Sequence, residues 1–208
     1  MNFTKLATPL LLSLTLAVPT MAGLPTYVTD TKTSTIQWTG QKITGSTTSG
    51  VIKLKSGQFY VMEDQIAGGE FVIDMSTIES TDMSADQNAR LSNHLKNDDF
   101  FSVDKFPIAT LSISKGIKVY NSLETDPNYE FEGTLTIKGI TQDVKFGAIV
   151  TMDDKTLKAM AVIVFDRSKF DVRYGSGSFF EDLGNKLILD DIKLTIEINA
   201  NIQAGSVE

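Results

Sequence analysis

The 208-residue sequence contains no cysteine, one histidine and one tryptophan. Without cysteine no disulfide can stabilise the fold, so its stability has to come from a buried core. Metal sites built on histidine or cysteine need several such ligands, so we predict neither a metal site nor a cofactor. The Gly-x-Ser-x-Gly motif of serine hydrolases is also missing. We therefore assign no catalytic residue from the sequence.

Basic residues are scarce relative to acidic ones, at 19 against 26, and the formal net charge is −7. An acidic surface repels phosphate backbones, so we do not expect a nucleic-acid partner. After the first 22 residues, no apolar run approaches the roughly 20 residues that a membrane helix needs. The sequence thus predicts no transmembrane segment.

The first 22 residues have the pattern of a signal peptide. Lys5 supplies a positive charge, residues 10–18 are apolar, and Thr20 and Ala22 are small residues before a cleavage site. Cleavage near Ala22 would leave residues 23–208 as one exported domain, which we expect in the periplasm. A chain of this length can bury enough surface to fold as one domain without disulfides.

Apolar and polar residues alternate through much of the chain after residue 27, for example over residues 130–138 and 192–200. This period of two is typical of antiparallel strands with one dry face and one wet face. Turn signals separate the runs. They lie at Gly68-Gly69, residues 125–128, Lys138-Gly139 and residues 152–155. The pattern predicts a mainly β protein, either a closed barrel or a sandwich.

One segment departs from the alternation. Ser84 and Gln87 have the spacing of a capping box, and the residues that follow favour helix as far as about Lys96. Leu91 and Leu95 are four residues apart and form a narrow apolar stripe. We predict one surface helix at about residues 84–97, buried only along this stripe.

Residues 93–107 combine the single histidine, His94, with Phe100, Phe101 and Phe106. Such a segment is either a lid over a sheet or the mouth of an apolar cavity. His94 is more easily explained as a polar contact near Asp98 than as a catalytic base. The pair Asp166-Arg167 either faces inward as a buried pair or forms an ion pair in water at a strand end, and we slightly favour the second interpretation.

Several ordered motifs resemble those of the YceI-like family of exported polyisoprenoid-binding proteins. They are IQW at residues 36–38, FVIDMSTI at 71–78, HLKNDDFF at 94–101, Phe106-Pro107, GTLTIKGIT at 133–141 and FDR at 165–167. The resemblance implies a lipocalin-like, extended antiparallel barrel of about eight strands with a helix beside it. It also implies that a long-chain isoprenoid, such as an isoprenoid quinone or its precursor, or a similar lipid is held in the lumen, by a protein that is not an enzyme.

On this interpretation the ligand-binding residues fall into three groups. Those expected to line the slot are Phe71, Ile73, Leu111, Ile113, Leu135, Ile137, Phe146 and Phe165. Phe100, Phe101 and Phe106 would close one end, and His94 and Arg167 would contact a head group. Two alternatives stay open: a hydrolase or isomerase that uses His94 with an aspartate, and a stress-induced structural protein with a filled barrel. The oligomeric state, monomer or homodimer, is open as well.

Overall fold

The computed structural model describes residues 24–120 and 123–203, and the predicted signal peptide lies outside them. Within these residues the chain forms nine strands and one α-helix. In chain order they are β1 (Thr26–Thr29), β2 (Thr35–Gln41), β3 (Thr47–Met62), β4 (Gln65–Ser80), α1 (Ala85–Lys96), β5 (Ile108–Lys118), β6 (Tyr129–Ile137), β7 (Ile140–Met152), β8 (Thr156–Asp166) and β9 (Asp191–Ile202). Two short 3₁₀ turns, Arg167–Phe170 and Gly184–Lys186, lie between β8 and β9. Neither they nor α1 is long and apolar enough to cross a bilayer.

The strands form a closed antiparallel barrel. The sheet runs from β2 through β9, β8, β7, β6, β5 and β4 to β3, which pairs back with β2. The short strand β1 pairs with the same two neighbours as β2, namely β3 and β9. Because β1 and β2 share one position, the barrel has eight positions around its axis. This confirms the predicted mainly β barrel with one helix.

Tight hairpin turns explain why strands that follow each other in the chain also pair in the sheet. Lys138 and Gly139 join β6 to β7 with φ values of 52° and 74°. Glu63 and Asp64 join β3 to β4 with φ values of 50° and 58°. Two-residue turns with positive φ at both positions match the twist of antiparallel strands. The turns predicted at residues 125–128, 138–139 and 152–155 are confirmed by the starts of β6, β7 and β8.

The turn predicted at Gly68-Gly69 is wrong, because both glycines lie inside β4. Gly69 leaves room for neighbouring side chains. A Cβ on Gly69 would lie 2.8 Å from the carbonyl oxygen of Gln58 and 3.1 Å from the ring of Phe71. The absence of a side chain allows large rings to pack over the strand at this point, and a glycine inside a strand often marks such a close approach.

The helix α1 agrees with the predicted one, with Ser84 and Asn97 as its two caps. The Ser84 N–H donates to the side-chain oxygen of Gln87 at 3.4 Å. The helix packs beside the end of β4, where the Ser92 hydroxyl accepts a hydrogen bond from the Ser80 N–H at 2.9 Å. Its one buried large apolar residue is Leu95, so the helix lies on the surface, as expected.

The two ends of the barrel differ. We call the end with the turns at Glu63-Asp64 and residues 153–155 the closed end, because apolar side chains fill it. Those side chains are Tyr27, Val61, Ile66, Tyr129, Val150, Leu157 and Ala200, all of them buried. The opposite end, which carries α1 and the long β8–β9 connection, is called the open end.

The wall of the barrel is incomplete between β7 and β8. These strands pair only from Ala148–Met152 to Leu157–Ala161, at the closed end. Nearer the open end, the 3₁₀ turn Arg167–Phe170 lies against β7, and the Gln142 side chain donates to the carbonyl of Lys169 at 3.4 Å. Phe170 is fully buried and lies edge-on to Phe165, with 5.5 Å between the ring centroids. The turn therefore closes the wall with side chains where strand pairing ends.

Candidate binding cavity

A cavity of about 550 Å³ occupies the barrel between its packed closed end and its open end. This volume falls within the range of about 300–1,000 Å³ that is usual for small-molecule sites. Every strand from β2 to β9 contributes inward side chains to its wall, and most of them are apolar. Examples from successive strands are Ile36, Leu54, Ile73, Leu111, Leu135, Phe146, Ile163 and Leu194.

The burial pattern of β9 shows where the interior is hollow. Ile192, Leu194 and Ile196 point inward but stay only partly buried, whereas Ile198 and Ala200, further along the same face, are buried. The cavity lining on this strand runs from Ile192 to Ile198. Six residue steps correspond to about 20 Å along a strand. The lumen is therefore elongated, with a depth that suits an extended chain.

Aromatic rings form the floor of the cavity. Phe59 and Phe71 meet edge-on with centroids 4.9 Å apart, and Phe131 lies 5.5 Å from Phe146. All four rings line the cavity. Beneath them, Tyr129 stacks on Phe131 at 5.5 Å, within the packed closed end. The cavity therefore opens at one end and is blocked by aromatic packing at the other.

Three rings form the rim at the open end. His94 of α1 lies 5.0 Å from Phe100 and 4.5 Å from Tyr174, in edge-on contacts, and Phe100 lies 5.1 Å from Tyr174. Phe100 is buried, and Phe101 beside it is half-buried. This rim joins the helix to the β8–β9 connection over the cavity.

The structure brings nearly all of the residues predicted from the sequence to the cavity. The residues that line it are Phe71, Ile73, His94, Phe100, Phe101, Leu111, Ile113, Leu135, Ile137, Phe146, Phe165 and Arg167. Phe106 is not among the lining residues. Its ring lies against the β6–β7 turn, where a Cβ on Gly139 would be 3.3 Å from it.

Arg167 is a buried residue, so the strand-end ion pair in water favoured from the sequence is wrong. Its side chain is 2% exposed and lies 3.2 Å from Asp190 rather than pairing with Asp166. The guanidinium donates to four carbonyl oxygens at 2.8–3.3 Å, those of Val172, Tyr174, Ile188 and Leu189. Burial lowers the pKa of this guanidinium, and the nearby carboxylates of Asp190 and Asp166 oppose that shift.

These contacts use most of the N–H donors of Arg167. A guanidinium has five N–H donors. Four donate to carbonyls of the β8–β9 connection, and the ion pair with Asp190 lies on the same side chain. Arg167 thus holds the connection in place beside the cavity and uses four of its five donors to do so.

Several lining residues were not singled out from the sequence. Trp38 and Gly40 point inward from β2, Lys42 follows on the same face, and Arg90 lies on α1. The alternation in β2 does predict an inward Trp38. Tyr174, in contrast, belongs to an irregular connection whose path depends on Arg167, so no local pattern marks it.

The chemical groups at the rim are few. The Nε2 atom of His94 lies 3.3 Å from a carboxylate oxygen of Asp99, not of Asp98. Asp98 instead accepts a hydrogen bond from Lys105 at 2.7 Å, and this contact lowers the pKa of Asp98. Within residues 24–120 and 123–203, no group of three or more histidine or acidic side chains is placed to hold a metal ion.

Comparison with known proteins identifies the fold and the domain type. The model of the YceI-like domain matches residues 27–200. No protein of curated function matches the chain in sequence. Among solved structures, BcnA of Burkholderia cenocepacia is 19% identical, with 83% of this chain and 99% of that chain covered and a TM-score of 0.66.

Two further structures have the same fold. A polyisoprenoid-binding domain from Saccharophagus degradans, implicated in plant cell wall breakdown, is 12% identical, with coverages of 85% and 98% and a TM-score of 0.63. The YceI protein of Campylobacter jejuni is 20% identical, with coverages of 96% and 99% and a TM-score of 0.52. At these identities the likeness concerns the fold.

Proposed function

The chain belongs to the YceI-like domain family, and on that premise we propose that it binds a long-chain polyisoprenoid lipid in its barrel. An isoprenoid quinone or its precursor is the ligand class we favour. The observation that carries the proposal is the elongated apolar cavity, which opens at one end and has an aromatic floor. The Saccharophagus degradans neighbour, described as a polyisoprenoid-binding domain, has the same fold.

The energetics support a hydrocarbon ligand. Each 100 Å² of apolar surface removed from water contributes about 2.5 kcal/mol before the ordering of the chain is subtracted. An isoprenoid tail has several hundred square ångströms of apolar surface that can contact the Ile, Leu and Phe side chains of the wall. No catalytic group is required, so we propose a binding or carrier role and not an enzymatic one.

We place this function in the periplasm. The support is the signal-peptide pattern of residues 1–22, with small residues before Gly23. An exported carrier that shields an apolar chain from water would need an interior of the kind described above.

A second candidate function rests on the His94–Asp99 contact of 3.3 Å at the rim. A histidine oriented by a carboxylate can act as a general base in a hydrolase or isomerase. However, the described lining residues include no serine or cysteine that could serve as a nucleophile beside His94. The geometry therefore favours binding. A filled barrel, the third alternative, is contradicted by the cavity.

Trp38 provides a direct test, because it is the single tryptophan of the chain and lines the cavity. Titration with an isoprenoid quinone should quench its fluorescence in a saturable manner. A matched pair of variants distinguishes binding in the lumen from binding at the outer wall. Ala161→Phe adds a ring to the cavity wall, whereas Val162→Phe adds one to the outer face, where Val162 is 48% exposed.

We expect the wild type and Val162→Phe to bind alike, and Ala161→Phe to bind at least about tenfold more weakly. A wild type that shows no saturable binding of quinone contradicts the proposal. Equal binding by Ala161→Phe would show that the ligand lies outside the lumen.

A further inference from the structure

The lumen has a defined depth. Its lining runs from Phe165 to Ala159 on β8 and from Ile192 to Ile198 on β9, and the residues at each end pair with one another. Six residue steps give about 20 Å along a strand, or roughly 15 Å along the barrel axis at the usual strand tilt. The rim rings above this wall add a layer of about 5 Å.

This depth corresponds to a definite length of isoprenoid tail. An extended carbon chain with bonds of about 1.5 Å advances roughly 5 Å for each isoprene unit, which contributes four bonds to the chain. The strand wall and the rim together give a depth of about 20 Å. An extended tail of about four isoprene units therefore spans the lumen.

The volume of the cavity gives the same length. A cavity of about 150 Å³ lined by aliphatic and aromatic side chains holds one benzene molecule, which has six carbons. On this scale the lumen of about 550 Å³ holds about 22 carbons. Because an isoprene unit has five carbons, this volume corresponds to about four units. The depth and the volume thus agree.

Two of the floor rings lie directly on the backbone of the wall. Phe71 lies against Gly57 and Gly69, where a Cβ would be 2.5 and 3.1 Å from its ring. Phe131 lies against Gly116, where a Cβ would be 2.9 Å from its ring. Glycines inside strands allow such close approach. The positions of these rings are therefore determined by the strands, and the rings form a fixed lower limit to the lumen.

The described residues beneath this floor are tightly packed. Ile66 and Leu157 are fully buried, and neither lines the cavity. The Tyr27 hydroxyl donates to the carbonyl of Asp153 at 2.5 Å and joins β1 to the β7–β8 turn at this end. A tail that reaches the floor rings meets close packing, so it cannot continue towards the closed end.

Small side chains keep the lower part of the lumen open. Ala148 of β7 and Ala159 and Ala161 of β8 all line the cavity. Ala159 pairs with Ile198 at the deep end of the lining, whereas Ala161 pairs with Ile196, nearer the mouth. A larger side chain at position 159 would therefore raise the floor of the lumen and leave its mouth unchanged.

We propose that the lumen selects its lipid by tail length, that it accepts about four isoprene units, and that Phe71 and Phe131 set this limit. The inference rests on the proposed function, since it requires an isoprenoid in the barrel. A shorter tail leaves part of the lumen without contacts, and a longer tail leaves carbons in water at the mouth. Both are unfavourable relative to a bilayer, where every unit contacts hydrocarbon.

The test offers the protein an equimolar mixture of uncharged prenols, from two to nine isoprene units long, in phosphatidylcholine vesicles. After equilibration the protein is separated from the vesicles, and the prenols that it has taken up are identified by mass spectrometry. Two variants change the depth of the lumen in opposite directions. Phe131→Ala removes six carbons, about the volume of one isoprene unit, and Ala159→Phe adds six.

Each variant has a matched control. Phe106→Ala removes the same ring from a position outside the cavity lining. Val162→Phe adds a ring to the outer face of β8, where Val162 is 48% exposed. Because Ala159→Phe fills space instead of creating it, the test remains decisive if Phe131→Ala does not fold.

We expect uptake by the wild type to be greatest at about four isoprene units and to be at least about tenfold lower for tails that are two units shorter or longer. The maximum should move to about five units in Phe131→Ala and to about three in Ala159→Phe. Both controls should keep the maximum of the wild type.

Three results would overturn the inference while leaving the proposed function intact. They are equal uptake of all lengths by the wild type, uptake that rises steadily to the longest prenol, and a maximum that stays at one length in both variants. A wild type that takes up neither a prenol of any length nor an isoprenoid quinone would overturn the inference and the proposed function together.

Discussion

The imidazole of His94 lies edge-on to the ring of Tyr174, with 4.5 Å between the ring centroids. His94 belongs to α1, and Tyr174 belongs to the connection between β8 and β9. Phe100 contacts both rings. These contacts form an aromatic link between the helix and that connection across the open end, so we expect them to slow the exit of a ligand from the lumen.

Removal of the Tyr174 ring should therefore speed up ligand exchange. In Tyr174→Ala the rim loses its contacts with His94 and Phe100, and we expect the dissociation rate of a bound isoprenoid quinone to rise about tenfold. Stopped-flow measurement of Trp38 fluorescence tests this. Tyr120→Ala, which removes a ring that is 88% exposed, serves as the control and should leave the rate unchanged. Equal rates for Tyr174→Ala and wild type would show that the rim is not a barrier.

Loss of the Arg167 side chain should destabilise the fold strongly. In Arg167→Met, four carbonyls lose their donors and Asp190 keeps a charge without its partner. Breaking a buried pair in this way lowers the free energy of unfolding by about 3–5 kcal/mol. Urea denaturation would measure it. Arg173→Met, at an exposed ion pair with Asp171, should change it by less than about 1 kcal/mol. Similar stabilities of the two variants would contradict the assigned role.

A methyl group at Gly50 should be poorly tolerated. Its Cβ would lie 1.8 Å from the carbonyl oxygen of Glu79 and 2.6 Å from the indole of Trp38. The backbone of β3 or β4 would have to move, and we expect Gly50→Ala to lower the free energy of unfolding by about 1–3 kcal/mol or more. Gly40→Ala is the matched control, because its Cβ would meet Ile192 at an ordinary 3.5 Å. Thermal denaturation in which both variants melt together would be inconsistent with this packing.

Acid should weaken the β7–β8 hairpin through Asp153. The backbone N–H groups of Lys155 and Thr156 donate to this carboxylate at 2.8 and 2.7 Å and lower its pKa. A lowered folded-state pKa means that the stabilisation is fully present above the unfolded-state pKa of about 3.9 and is lost as the pH falls towards the folded-state value.

Asp153→Asn should therefore be less stable than the wild type at pH 7, and the difference should shrink below about pH 4. Denaturation curves across this range measure it. Asp154→Asn changes a neighbouring exposed carboxylate that accepts no hydrogen bond from the described residues, and it should have much less effect. A stability difference that stays constant down to pH 2 would rule out the carboxylate as its source.

Much of the fold follows from local pattern. The alternation along β6 and β9, the capping box at Ser84, and the turn at Lys138-Gly139 each depend on neighbouring residues only. The turn wrongly predicted at Gly68-Gly69 has the opposite cause. Gly69 lies against the rings of Phe59 and Phe71, and Phe59 belongs to the neighbouring strand β3.

The residues in the walls of the cavity could be predicted from the sequence, whereas most of those at its mouth could not. Inward residues such as Leu111 and Leu135 follow from the period of two. Arg167 is buried because the β8–β9 connection folds back over it as far as Asp190. Lys42 and Arg90 line the same cavity because the barrel closes. Contacts of that kind join distant parts of the chain and leave no local signal.

Identification of the lipid that the purified protein carries would show whether the barrel binds an isoprenoid. Wild type and Ala161→Phe would be purified from the native source, extracted with organic solvent and examined by mass spectrometry. We expect a long-chain isoprenoid lipid in near-stoichiometric amount with the wild type and a large depletion in the variant. No lipid in the wild-type extract, together with no binding of added isoprenoid quinone, would contradict it.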